Sequence, residues 1–127
     1  MQHLILVALG GALGATARYL LGMAALRRLG PAWPYSTFAA NVLGGLLMGV
    51  LAGWLAHRGG ADQERWRLLL GVGVLGGFTT FSAYSLELAL MLERRDYGPA
   101  AIYSTASVVL SVAALFAGLL VTRRLFA

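Results

Sequence analysis

The sequence predicts an all-α membrane protein of four transmembrane helices, and three observations carry that expectation. Hydrophobic residues fill 59% of the 127 positions and charged residues only 12%, with a mean hydropathy of +0.75, which leaves too little polar surface to dissolve so small a domain. Four apolar segments, at roughly 4 to 26, 35 to 56, 68 to 92 and 99 to 121, each approach the ~20 residues that a helix needs to cross a bilayer. The connectors RRLGPAWP, HRGGADQERWR and ERRDYG are short and polar, so consecutive helices should be antiparallel neighbours within one domain, residues 1–127.

The first segment is as apolar as the core of a signal peptide, yet it has no basic leader and runs past the usual length, so it reads as a retained helix. Within it Gly10, Gly14, Arg18 and Gly22 recur every four residues, a stripe on which another backbone can approach closely. Arg18 lies too deep for lipid and should face protein, water or an interface reached by snorkelling. It has two open roles, bonding helix-end carbonyls or meeting an anion.

The second segment repeats the pattern with Thr37, Asn41, Gly45, Gly49 and Gly53. Asn41 donates through an uncharged amide, which suits transient anion coordination, while interhelical bonding is its ordinary use.

The third segment is unusual at its centre, GVLGGFTTFSAYS from Gly73 to Ser85. Gly71, Gly73, Gly76 and Gly77 weaken the helix, and Thr79, Thr80, Ser82 and Ser85 offer hydroxyls to backbone groups that lose their partners. A helix broken near mid-membrane is the expectation, with freed carbonyls as ligands for a small cation such as sodium. Phe81 and Tyr84 stand three apart, on one face if helix resumes after the threonines, and their positive ring edges would favour an anion. Glu87, close to the end of this segment, is expected near the interface with no special role.

In the fourth segment Tyr103, Ser107 and Ser111 again recur every four residues, with Ser104 and Thr105 beside them. Such a ladder of hydroxyls can replace water around an anion, or each hydroxyl can bond back to its own helix.

Charge limits the remaining function classes. All ten basic residues are arginine, and apart from Arg18, which lies within the first span and counts on neither side, they fall mostly in pairs beside the apolar runs, a pattern of membrane orientation rather than of nucleic-acid binding. The chain has no cysteine, and His3 and His57 are isolated, so side-chain metal clusters are not expected. Arg58, Arg65, Arg67, Arg123 and Arg124 fall on one side, and Arg27, Arg28, Arg94 and Arg95 on the other. Five against four sets almost no orientation, so the chain is expected to insert both ways, a weakly biased single orientation being the alternative. No internal repeat is visible, and a dual-topology chain can supply an inverted second copy by pairing antiparallel with itself.

GGALGATARY (Gly10 to Tyr19), STFAANVLGG (Ser36 to Gly45) and GGFTTFSAYSLE (Gly76 to Glu87), in this order and spacing, resemble the Fluc, or CrcB-like, fluoride channels across all four spans. The resemblance implies an antiparallel homodimer with two narrow fluoride pores and a structural sodium ion at the dimer centre. It implies that Asn41 is the pore asparagine and Phe81 the first of two pore aromatics, and that the Gly76 and Thr79 carbonyls hold sodium. Thr80 would line the anion path, with Tyr103, Ser107 and Ser111 as the polar track of the fourth helix and Arg18 as the arginine of the first-helix motif. Thr37 shares the Asn41 stripe and is assigned with Arg18 to structure or anion access. The second aromatic is usually phenylalanine and is Tyr84 here, so either its ring edge still faces the ion or its hydroxyl takes over.

The resulting expectation is a multi-pass protein of the bacterial inner membrane, not an enzyme, that passively exports fluoride and contacts lipid but no nucleic acid. A small dual-topology multidrug transporter shares the size and charge balance, but that family resembles itself in a first-helix glutamate, and the first helix here carries Arg18 and no carboxylate. A non-transporting assembly subunit would explain the glycine stripes but not the aligned hydroxyls.

Overall fold

Gly30, Gly59 and Pro34 punctuate the chain where the apolar runs end. The computed structural model describes residues 1–126, and among these every regular element is helical, with no strand. Helix α1 (Gln2–Leu29) stops where Gly30 takes φ 81° and returns its N–H to the Leu26 carbonyl at 3.1 Å. Helix α2 (Tyr35–Arg58) starts after Pro34 and ends at Gly59, φ 59°, whose N–H reaches Leu55.

The third span comprises α3 (Gln63–Trp66), a π-helical stretch (Arg67–Leu75), α4 (Gly76–Phe78) and α5 (Phe81–Glu93). Between α4 and α5, Thr79 and Thr80 are extended, with ψ of 155° and 121°. Helix α6 (Tyr97–Phe126) follows a tight turn in which Arg95 adopts φ 62°. Four segments, Gln2–Leu29, Tyr35–Arg58, Gln63–Glu93 and Tyr97–Phe126, are long and apolar enough to cross a membrane. They overrun the expected spans at most ends because a helix need not stop where hydropathy falls; Arg123 and Arg124 still sit in the last turn of α6.

Glycine seams join the helices in two pairs. On α2 and α6, a methyl at Gly45 would lie 2.6 Å from the Ser111 carbonyl, and one at Gly49 would collide with the Leu115 carbonyl. On α1 and the third span, one at Gly10 would lie 2.9 Å from Gly73 Cα, and one at Gly14 would collide with the Val74 carbonyl. Backbones meet directly because no side chain stands between them. Gly22, the last member of the first stripe, faces only Ser36 Oγ at 3.7 Å, so the seam covers about half of the expected stripe.

Two apolar clusters close the bundle at opposite sides of the extended threonines. Leu51, Leu55 and Leu75 pack with Trp54 and Trp66, whereas Tyr84, Met91, Ala100 and Tyr103 pack with Trp33 and Phe38. Leucines such as Leu4, Leu9, Leu13 and Leu120 lie on the outside, as a lipid-facing surface requires.

Candidate functional site

The site grows out of the two extended threonines. In a continuous helix the Thr80 N–H would donate to the Gly76 carbonyl; here it donates to Asn41 Oδ1 at 2.9 Å. The Ala83 N–H, the helical donor for Thr79, donates instead to Thr80 Oγ1 at 3.1 Å, which caps α5. The carbonyls of Gly76 and Thr79 are therefore both without their helical donors. Thr79 Oγ1 donates to the Leu75 carbonyl at 2.9 Å, so its hydroxyl serves the end of the preceding helix.

Neighbouring helices hold this segment on two sides. Asn41 Nδ2 donates to the Thr80 carbonyl at 3.1 Å, and Arg18 Nε donates to the Gly77 carbonyl at 3.2 Å. Arg18 thus makes a helix-end carbonyl contact, one of its two expected roles.

Beside the threonines lies a groove of about 370 Å³. Asn41, Thr80, Phe81, Tyr84, Ser107 and Ser111 all line it, brought together from α2, the extended threonines, α5 and α6. The Phe81 and Tyr84 rings are 5.4 Å apart and inclined by 45°. Phe81 is 77% exposed, so in the single chain the groove has an open flank. The Tyr84 hydroxyl donates to the Ser104 carbonyl at 3.4 Å, which occupies the group that distinguishes it from phenylalanine. Ser104 itself bonds back to Ala101, the ordinary use of a helical serine. Ser107 and Ser111 do not: their Oγ atoms are buried and have no hydrogen-bond partner among the described residues.

Tyr103 and Thr37 stand away from the groove. Their hydroxyls donate to the two oxygens of Glu87, Tyr103 to Oε2 and Thr37 to Oε1, each at 2.8 Å. Tyr103 is fully buried and reaches the groove only through Tyr84, whose ring is 5.2 Å away. No group of three or more His, Asp or Glu side chains suited to a metal occurs among the described residues.

Comparison with known proteins decides the family. Residues 5–119 match the family described as CrcB-like protein, Camphor Resistance (CrcB). A fluoride-specific ion channel FluC of Phenylobacterium zucineum (strain HLK1) is 76% identical over 127 residues, covering all of both chains. One of Caulobacter sp. (strain K31) is 68% identical over 126 residues, 99% of this chain and 98% of that protein. One of Hyphomonas neptunium is 53% identical over 128 residues, again covering both chains fully.

The chain belongs to the CrcB-like family. Within this CrcB-like chain, Glu87 is the polar residue that sequence reasoning passed over. Its place near the end of the third span suggested an interfacial carboxylate, but two buried hydroxyls from α2 and α6 converge on it. The signal lay in register: Thr37 is one turn before Asn41 and Tyr103 one turn before Ser107, so both stripes continue past the groove towards the same carboxylate.

Proposed function

We propose that the chain is a fluoride-selective ion channel that passively exports cytoplasmic fluoride and so lowers its toxicity. Fluoride enters cells as the neutral acid, ionises inside and needs only a path outward, so no covalent chemistry and no catalytic group is involved. The observation that carries this reading is the pair of buried, unpartnered hydroxyls on Ser107 and Ser111 in one groove with Asn41, Thr80, Phe81 and Tyr84. A buried hydroxyl without a partner costs about 1–3 kcal/mol, and a weakly held anion that strips its water there offsets that cost. The relatives named fluoride-specific ion channels supply the identity of the ion.

The working unit in this proposal is an antiparallel homodimer with the interruption of the third span at mid-membrane. The exposed hydroxyls of Ser82 and Ser85, on the same helix as the open flank of the groove at Phe81, are poor company for lipid, and a second copy would cover them. Near-equal arginine counts on the two sides allow both insertions that such a dimer requires. A bacterial inner membrane is the setting.

Sodium fits the chemistry of this chain. The carbonyls of Gly76 and Thr79, freed because Asn41 and the Thr80 hydroxyl take their helical donors, are hard oxygen ligands. When bound between two copies, the ion would cross-link them electrostatically.

Efflux from vesicles loaded with fluoride or chloride tests the function. Fluoride leaving at least ~100-fold faster than chloride supports it, because only a path that strips water selectively gives such a ratio. Equal rates, or proton-coupled uptake of organic cations instead, overturn it.

A further inference from the structure

We infer that Asn41 is a positioning residue, whose amide grips the Thr80 main chain by both its donor and its acceptor and so sets the shape of the interruption in the third span. Thr80 is extended, φ −153° and ψ 121°, so its N–H and C=O have left the helical ladder. Asn41 answers both groups, Nδ2 donating to the carbonyl at 3.1 Å and Oδ1 accepting from the N–H at 2.9 Å. The amide therefore stands where a neighbouring strand would stand, at a depth where lipid satisfies neither group.

The grip continues one turn along α2. The Thr79 methyl sits against Gly44, at a point where any Cβ on residue 44 would collide with it. With the Thr80 hydroxyl on Ala83 and the Thr79 hydroxyl on Leu75, every polar group of the two threonines except the Thr79 backbone carbonyl is directed by a neighbour. That carbonyl accepts no hydrogen bond among the described residues, its helical donor, the Ala83 N–H, being taken by Thr80 Oγ1.

Two roles of Asn41 are chemically separable. An amide NH₂ has two donors, and Thr80 uses one. If the grip is what conduction needs, one donor and one acceptor suffice. If a direct contact with the anion is what it needs, the second N–H is essential. Protonated aspartic acid has the shape of asparagine, with one donor and one acceptor, and no second donor.

Asn41→Asp therefore separates the roles by pH. In planar bilayers, fluoride current through this variant should fall at least ~10-fold at about pH 7.5, where the carboxylate cannot donate to Thr80, and return to within ~3-fold of wild type once acid has protonated the carboxyl, whose ordinary pKa is about 3.9. Glu87, Tyr84, Tyr103 and Arg18 are the ionisable groups on the elements packed around this segment, and the wild-type current over the same range is the reference for any pH effect that does not come from residue 41. Current that stays suppressed in a folded dimer whose infrared carboxyl band shows the introduced side chain protonated overturns the inference in favour of the direct contact. Amide hydrogen exchange on the wild-type protein decides the same point without any variant: the Thr80 N–H should be protected at least ~100-fold, and exchange at the free-peptide rate overturns the grip. The inference rests on the channel reading only for the current measurement. A wild-type protein that passes no fluoride would defeat that reading and leave the exchange result to judge Asn41.

Discussion

Tyr103 donates its hydroxyl to Glu87 across 2.8 Å, from α6 to α5, while Thr37 on α2 holds the other carboxylate oxygen at the same distance. Three helices are thereby tied through one acidic side chain. A carboxylate within an apolar bundle is tolerable only with such donors, and each donor is tolerable only with the carboxylate.

Tyr103→Phe should destabilise the protein by about 1–3 kcal/mol, because one Glu87 oxygen loses its buried partner. Glu87→Ala should cost more, since it strands the Tyr103 and Thr37 hydroxyls together. Thermal unfolding in detergent, following monodispersity, measures both, and Tyr103→Phe matching wild type would show that the bond contributes nothing.

Ser107→Ala and Ser111→Ala should behave in the opposite way on stability. Each removes a buried hydroxyl that has no partner among the described residues, so stability should hold or rise by up to about 1 kcal/mol while fluoride efflux falls. Phe81→Ile should abolish efflux, whereas Tyr84→Phe should retain it, because the hydroxyl is bonded to the Ser104 carbonyl. Vesicle efflux on all four variants reads these outcomes.

Gly49 and Gly11 provide a matched pair for the helix seams. Gly49→Ala would drive a methyl into the Leu115 carbonyl and separate α2 from α6, whereas a methyl at Gly11 meets nothing within 4 Å in the same chain. Loss of folded protein is expected for the first. For the second, stability should be unchanged or higher by up to about 1 kcal/mol from helix propensity, as read by unfolding of the purified chain.

If the proposed dimer holds sodium between carbonyls of its two copies, sodium should favour assembly. Replacing sodium by a bulky organic cation during purification is therefore expected to shift the protein towards monomer and to lower its unfolding temperature. Unchanged assembly and efflux in thoroughly sodium-free buffer would argue against the site.

Topology is testable by charge alone. Two or three arginines added to the Gly59 to Gln63 loop should drive that loop to the cytoplasm in nearly every copy and reduce fluoride resistance of cells. Co-expression with a variant biased the other way, by arginines near Arg27 and Arg94, should restore it. Labelling that finds the unmodified loop on one side only would end the dual-topology proposal.

Residues close in sequence determined the membrane class, the four spans and the weak point at Gly76 to Thr80, because hydropathy, helical spacing and the loss of helix at glycine and threonine are local properties. The tertiary structure decided which partners the polar groups take. Arg18 bonds a carbonyl 59 residues away, Asn41 meets Thr80 across 39, and Thr37 meets Glu87 across 50. Periodicity says that a polar side chain faces inward, but not which of several facing helices supplies its partner. For that reason Tyr103 and Ser107, one turn apart on one stripe, separate into a bonded carboxylate network and an open groove only when α2, α5 and α6 are packed together.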